Sequence, residues 1–256
     1  MTTPSTLSAI SKEVGGFPFI DPDFRPARLL AAAACCRWAR ANPGSRTPSQ
    51  RDLQSVLDPE RATEIRQLDL ARELSFGQLS ADQQRQVGET RSAIVTWLPR
   101  WADLITLPFT FVALEHSAAI SSSNFAWPQH IFLAPTAFAR PATLAEQITH
   151  ETSHQWLYLV EELWPLQVDD PGTRFTLPSG TADRSPSELL GASHVVVNLS
   201  RLWAAMPVDD DDRRSRLEHL RRYGAGCADL LAEARTLLTD DGQALAHRLT
   251  EELNAL

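Results

Sequence analysis

Apolar residues recur at helical spacing over most of this chain, and only two short stretches read as strands. "PARLLAAAACCRWARAN" (26–42) is rich in strong helix formers, and Pro26 suits a first turn, where its missing N–H costs nothing. "SQRDLQSVLDPE" (49–60) and "RATEIRQLDLARELS" (61–75) predict two further helices. "SADQQRQVGETRSAIVTWLPRWADLI" (80–105) predicts one long helix or two, capped by Ser80 and kinked or ended by Pro99. Residues 1 to about 25, rich in Ser, Thr, Pro and Gly, are expected to be loosely held.

The pattern then changes. "PFTFVALEH" (108–116) and "HIFLAP" (130–135) are short and partly β-branched or aromatic, and predict strands separated by the polar "SSSN" (121–124). A helix is expected from about Thr143 to Trp164, ended by Pro165. "QVDDPGTRFTLPSGTADRSPS" (167–187) reads as a long ordered loop, and loops of that length in compact domains usually carry function. "SELLGASHVVVNLSRLWAAM" (187–206) predicts a helix, although its valine run permits a strand. Segments 209–238 and 241–253 close the chain with helices, the first opened by "DDDD", where acidic residues favour a helix N-terminus. These elements predict an α+β, predominantly helical fold. Residues 26–256 are expected to form one domain: a helical part (26–105), a core (106–206) and C-terminal helices (207–256).

Composition narrows the function. The net charge of −8 over 256 residues argues against a nucleic-acid binder that works through phosphate contacts. No run approaches the roughly 20 apolar residues of a membrane helix. No stretch near the start has the charged-then-apolar build of a secretory signal. Of the three cysteines, Cys35, Cys36 and Cys227, the adjacent Cys35 and Cys36 in a helical pattern read as buried thiols and not as a disulfide framework. The cytoplasm is the expected compartment.

The sharpest chemistry lies in "EQITHETSHQWLYL" (146–159). Residues four apart on a helix lie on one face, so His150 and His154 can present two imidazoles to one ion. Glu151 stands about 100° around the helix, near enough to reach a water on that ion. This is the H-E-x-x-H arrangement: a metal-binding pair with an acid/base carboxylate. Apolar Leu144, Ile148, Leu157, Val160 and Leu163 give the helix a core-facing stripe. A third ligand is required. Glu161 lies two turns along, too far for the same ion, although it and Tyr158 can line the site. His194, 40 residues after His154 in the apolar "SHVVVNLSRLW", is the leading candidate. Glu188 and then Asp183 are the alternatives, either giving a two-histidine, one-carboxylate set. His116 and His130 border the expected strands, and His219 and His247 fall in charged helices expected to be solvated.

From about Ile131 to Trp203 the chain resembles the HExxH-type peptide β-hydroxylases, which use iron and 2-oxoglutarate on ribosomally made peptides. The resemblance rests on order: "HIFLAP", then "LAEQITHETSHQWLYLVEEL", then the loop "DDPGTRFTLPSGTADRSP", then "ELLGASHVVVNLSRLW". It implies Fe(II) held by His150, His154 and His194, with 2-oxoglutarate as cosubstrate. A dicarboxylate needs a fixed cation, for which Arg174, Arg184 and Arg201 are the candidates. His194, Asn198 and Arg201 form an i, i+4, i+7 stripe, and Tyr158 and Asn198 are expected near the substrate. Glu151 would orient substrate or support the ligands.

Two other readings stand beside this one. A zinc metallopeptidase would use Glu151 as general base. A non-catalytic helical protein would carry the motif without using it. Both enzyme readings imply a zincin-like core, a small sheet beside the motif helix. On that sheet "HIFLAP" would offer an edge to an extended peptide.

Overall fold

The computed structural model describes residues 8–44, 47–66, 76–115, 117–169 and 172–256. It is an α+β structure, mostly helical, with one small mixed sheet. The first part holds α1 (Ala9–Val14), α2 (Pro26–Ala41), α3 (Gln50–Ser55) and α4 (Pro59–Arg66), followed by β1 (Phe76–Gln78), α5 (Ala81–Trp97) and α6 (Ala102–Ile105). Next come β2 (Thr110–Leu114), β3 (Ser121–Ser122), β4 (His130–Leu133) and the motif helix α7 (Pro141–Glu161). Helices α8 (Pro186–Ala205), α9 (Asp210–Ala234) and α10 (Asp240–Asn254) complete the chain.

Local chemistry accounts for most boundaries. Ser80 and Gln83 close a reciprocal capping box at the start of α5, which stops at Trp97 before Pro99 and resumes as α6 after a short 3₁₀ turn. Ser185 and Glu188 form the same box ahead of α8. Asp209 caps α9, whose first turn carries Asp210, Asp211 and Asp212. The expected helix over 61–75 is α4 as far as Arg66; its remainder lies outside the described residues.

Two expectations are corrected. Residues 8–25 are not loosely held: Ile10, Val14, Phe17, Phe19 and Ile20 are buried in the main core, anchored on helices from the far end of the chain. The sheet runs β1-β2-β4-β3, with β2 and β4 parallel and the outer pairs antiparallel. "HIFLAP" therefore supplies an inner strand, all four residues of β4 being buried. The edge beside it is the two-residue β3, from the serine run read as a spacer. Because β1 pairs with β2, the sheet also crosses the boundary drawn at residue 105.

Helix α7 lies at the centre, packed on β4, α5 and α8, and α8 in turn packs on α9 and α10. Trp156 is fully buried and donates its indole N–H to the Leu104 carbonyl at 3.0 Å, which satisfies the one polar group of that ring. The C-terminal end of α7 is pinned by ions. Glu162 accepts from Arg37 Nε and Nη2 at 2.9 and 2.7 Å and also pairs with Arg66, and Arg37 donates to Gln129 at 2.9 Å. Among the described residues no helix is long and apolar enough to cross a membrane.

Candidate functional site

A cleft of about 860 Å³ runs between α7, β3, the 177–187 segment, α8 and α9. Its floor is one face of α7: His150, Glu151, His154, Leu157, Tyr158 and Glu161. The helical period brings these residues into a single stripe.

The His150 and His154 rings lie 5.0 Å apart, centroid to centroid. His154 stacks on Tyr158 at 6.0 Å, and Phe125 meets Tyr158 edge-on. Burial, followed by the proximity of His150, holds the His154 imidazole well below its ordinary pKa. It is therefore neutral at pH 7, the form in which a histidine can bind a metal. Gly191 of α8 faces this ring: a Cβ there would stand 3.2 Å from His154 Nδ1. Glu151 is buried, and its Oε1 lies 3.9 Å from His150 Nε2. The Ser121 hydroxyl of edge strand β3 donates to Glu151 Oε1 and also lies 2.7 Å from the Gln147 side-chain oxygen. With one proton it serves the carboxylate, and Gln147 can turn its amide to donate in its place.

The expected third ligand is elsewhere. On α8, Glu188, Gly191, Ala192, Val195, Val196 and Leu199 line the cleft, whereas His194 stands about 100° around the helix from Val195. Its ring is fully buried, with Nε2 2.8 Å from the Pro18 carbonyl and Phe19 packed edge-on against it. Burial pulls its pKa down to about 4, against the opposing pull of the Pro18 hydrogen bond. Asn198, also fully buried, donates to Ser153 at 3.0 Å on the same internal face. The stripe His194, Asn198, Arg201 is thus real, but it faces away from the cleft, His194 and Arg201 toward residues 18 and 19 and Asn198 toward Ser153 of α7. Arg201 donates to the Phe19 carbonyl and pairs with Glu252 at 2.7 Å.

The remaining candidates divide. Arg174 and Asp183 approach each other at 3.8 Å on an exposed part of the loop, outside the cleft. Arg184 and Glu188 line the cleft and pair at 2.6 Å. Burial disfavours the charge on Glu188, but the Ser185 N–H and Arg184 outweigh it and hold the carboxyl below its ordinary range. Arg184 Nε is buried without a hydrogen-bond partner among the described residues. Tyr158 lines the cleft as expected, its hydroxyl pushed well above the ordinary range by burial and then by Glu151 and Glu161. His130 is buried as the first residue of β4, and His116 lies outside the described residues.

Other lining residues had no strong signal in the sequence. Arg216, His219, Leu220 and Tyr223 of α9 form one wall, where His219 is exposed to solvent as expected. Their one visible trace is the i, i+4, i+7 spacing of 216, 220 and 223 in a helix dominated by charge.

His150 and His154 fit two positions on a divalent ion. Among the described residues, no group of three or more His, Cys, Asp or Glu is placed to hold one. Comparison with models of known protein families finds no match, and comparison with curated proteins finds no relative.

Proposed function

We propose that this protein is a metal-dependent enzyme that modifies a peptide, and that the modification is Fe(II)- and 2-oxoglutarate-dependent hydroxylation of an amino-acid side chain, at Cβ as the resemblance of residues 131–203 implies. One observation carries the reading: His150, His154 and Arg184 face one cleft, roomy enough for a dicarboxylate beside a peptide side chain. Arg184 is the arginine suited to the cosubstrate, since Arg201 is engaged by the Phe19 carbonyl and Glu252 and, like Arg174, is outside the cleft. Its buried Nε still has a hydrogen to give, and a carboxylate would take it. Iron and 2-oxoglutarate would supply the oxygen activation. The protein's part is to hold two imidazoles, anchor the dicarboxylate and admit the peptide along the free edge of β3. That small sheet with its edge beside the motif helix also supports the zincin-like reading of the core.

A zinc hydrolase is the second reading, favoured by Glu151, whose carboxylate lies beside His150 Nε2 as a general base for water would. One pair of assays separates the two. Protein loaded anaerobically with Fe(II), then given oxygen and 2-oxoglutarate, is expected to form succinate, and a cognate peptide to gain one oxygen mass. Arg184→Leu should cut succinate formation at least tenfold. Zinc-loaded protein is expected to leave a casein digest uncleaved. Cleavage lost in Glu151→Gln with zinc retained, together with no succinate, would replace the oxygenase by the hydrolase.

A further inference from the structure

Glu161 ends the stripe on α7 and has no role in holding a metal or a dicarboxylate. Its carboxylate lines the cleft, and the partner it has there is neutral: the Ser187 hydroxyl donates to Oε1. The nearest cation from α4 is already engaged. Arg66 pairs with Glu162, donates to the Phe125 carbonyl and lies over the Phe125 ring at 4.0 Å. From α8, Glu188 adds a second negative charge, itself committed to Arg184. Burial pushes the Glu161 carboxyl up to about 7, with Arg66 pulling it down and Glu188 adding to the rise. The walls beside it are the Tyr158 and Phe125 rings and the neutral Gln167. A half-buried carboxylate with aromatic neighbours and, among the described residues, no cation paired to it suits an ammonium or guanidinium from outside.

We propose that Glu161 is the specificity residue of the cleft, recognising a lysine or arginine side chain of the peptide substrate. The inference rests on reading the cleft as a peptide site. Glu161 lies seven residues beyond His154 on one helix, so about 10 Å separates the two at 1.5 Å per residue. An extended peptide covers that distance in about three residues. The cationic residue therefore stands two to three positions from the residue that is modified.

The test is a binding measurement that needs no turnover. Fluorescein-labelled, C-terminally amidated Gly/Ser/Ala decapeptides carrying one central Lys, Arg, Leu or Glu are titrated with the full-length protein and followed by fluorescence anisotropy. The Lys and Arg peptides are expected to bind at least tenfold more tightly than the Leu and Glu peptides. Glu161→Gln should abolish that preference, and Glu233→Gln, at an exposed site on α9, should leave it intact. No preference, or one that survives Glu161→Gln, overturns the proposal. Thermal melting separates a ligand role from a structural one. Removing an uncompensated carboxylate should raise the melting temperature of Glu161→Gln at pH 8, and a fall would mark Glu161 as a structural residue and overturn the assignment. Should Glu161→Gln not fold, that too counts against it, and Glu161→Asp must then show a weakened preference for the ligand role to stand. Lost succinate formation with the cation preference intact removes the oxygenase reading alone. Succinate formation without the preference removes the cation subsite alone.

Discussion

His194 shows how much the surroundings of a single residue decide. Its imidazole is committed to the Pro18 carbonyl and sealed by Phe19, so it is a core group and not a ligand. His194→Leu is expected to cost about 1–3 kcal/mol, because the Pro18 carbonyl loses its donor in a buried place. The same variant should bind zinc or Fe(II) within about threefold of the native affinity, whereas loss of an outer-shell support typically costs 10–100-fold. Calorimetric metal titration reads the second number and urea unfolding the first. A collapse in metal affinity would restore His194 to the site. The contrast with His150 and His154 is physical. Their alignment depends on four residues of one helix and is written in the spacing. The direction His194 faces depends on a segment 176 residues away, which spacing on α8 cannot report. The same holds for Gly191, whose closeness to His154 follows from how α7 and α8 pack.

At the scale of elements, α2, α5 and α8 were legible almost to their ends, since caps and prolines are local signals, whereas the helix expected over 49–60 ends at Ser55, α4 begins at Pro59, and α7 stops at Glu161, short of Pro165. The edge of the sheet was not legible. Strand β3 is two serines without strand propensity, held by pairing with β4. Likewise β1 exists because it pairs with β2. Residues 8–25 look like a loose leader in composition, yet they place five apolar side chains in the core. The α7 terminus is another nonlocal construction. Glu162 joins α7 to Arg37 of α2 and Arg66 of α4 in a buried cluster. Glu162→Gln leaves two guanidinium groups without their carboxylate and is expected to cost about 3–5 kcal/mol. Arg66→Ala should cost less, because Arg37 still holds Glu162 by two hydrogen bonds. Urea midpoints of the two variants check the order; equal losses would mean that Arg66 carries as much of the cluster as the carboxylate does.

For the whole molecule, the cleft and the core behind it set the response to acid. His154 and His194 are both held below the ordinary histidine value of 6.5 by burial, His194 at about 4. Between pH 4 and 6.5 the unfolded chain binds a proton at His194 that the folded chain refuses, and below 6.5 His154 acts in the same direction. Their contribution is therefore complete above 6.5 and lost as pH falls, by up to about 3 kcal/mol for His194. Glu161 works the other way. Its folded value near 7 lies above the ordinary 4.5, so the folded state is unpenalised below 4.5 and loses stability as pH rises to 7. Burial lowers His130 as well, so three histidines oppose one carboxyl over the shared range, and stability of the metal-free protein is expected to rise from pH 4.5 to about 6.5 and flatten beyond 7. His194→Leu should make that rise shallower, and Glu161→Gln should make it steeper while lifting the plateau. Urea unfolding in a chelator at half-unit pH steps distinguishes the contributions. A rise unaltered by His194→Leu would show that the buried imidazole does not control acid stability. A plateau lowered by Glu161→Gln would show that the carboxylate at the end of the cleft is compensated from within the fold, leaving no place there for a substrate cation.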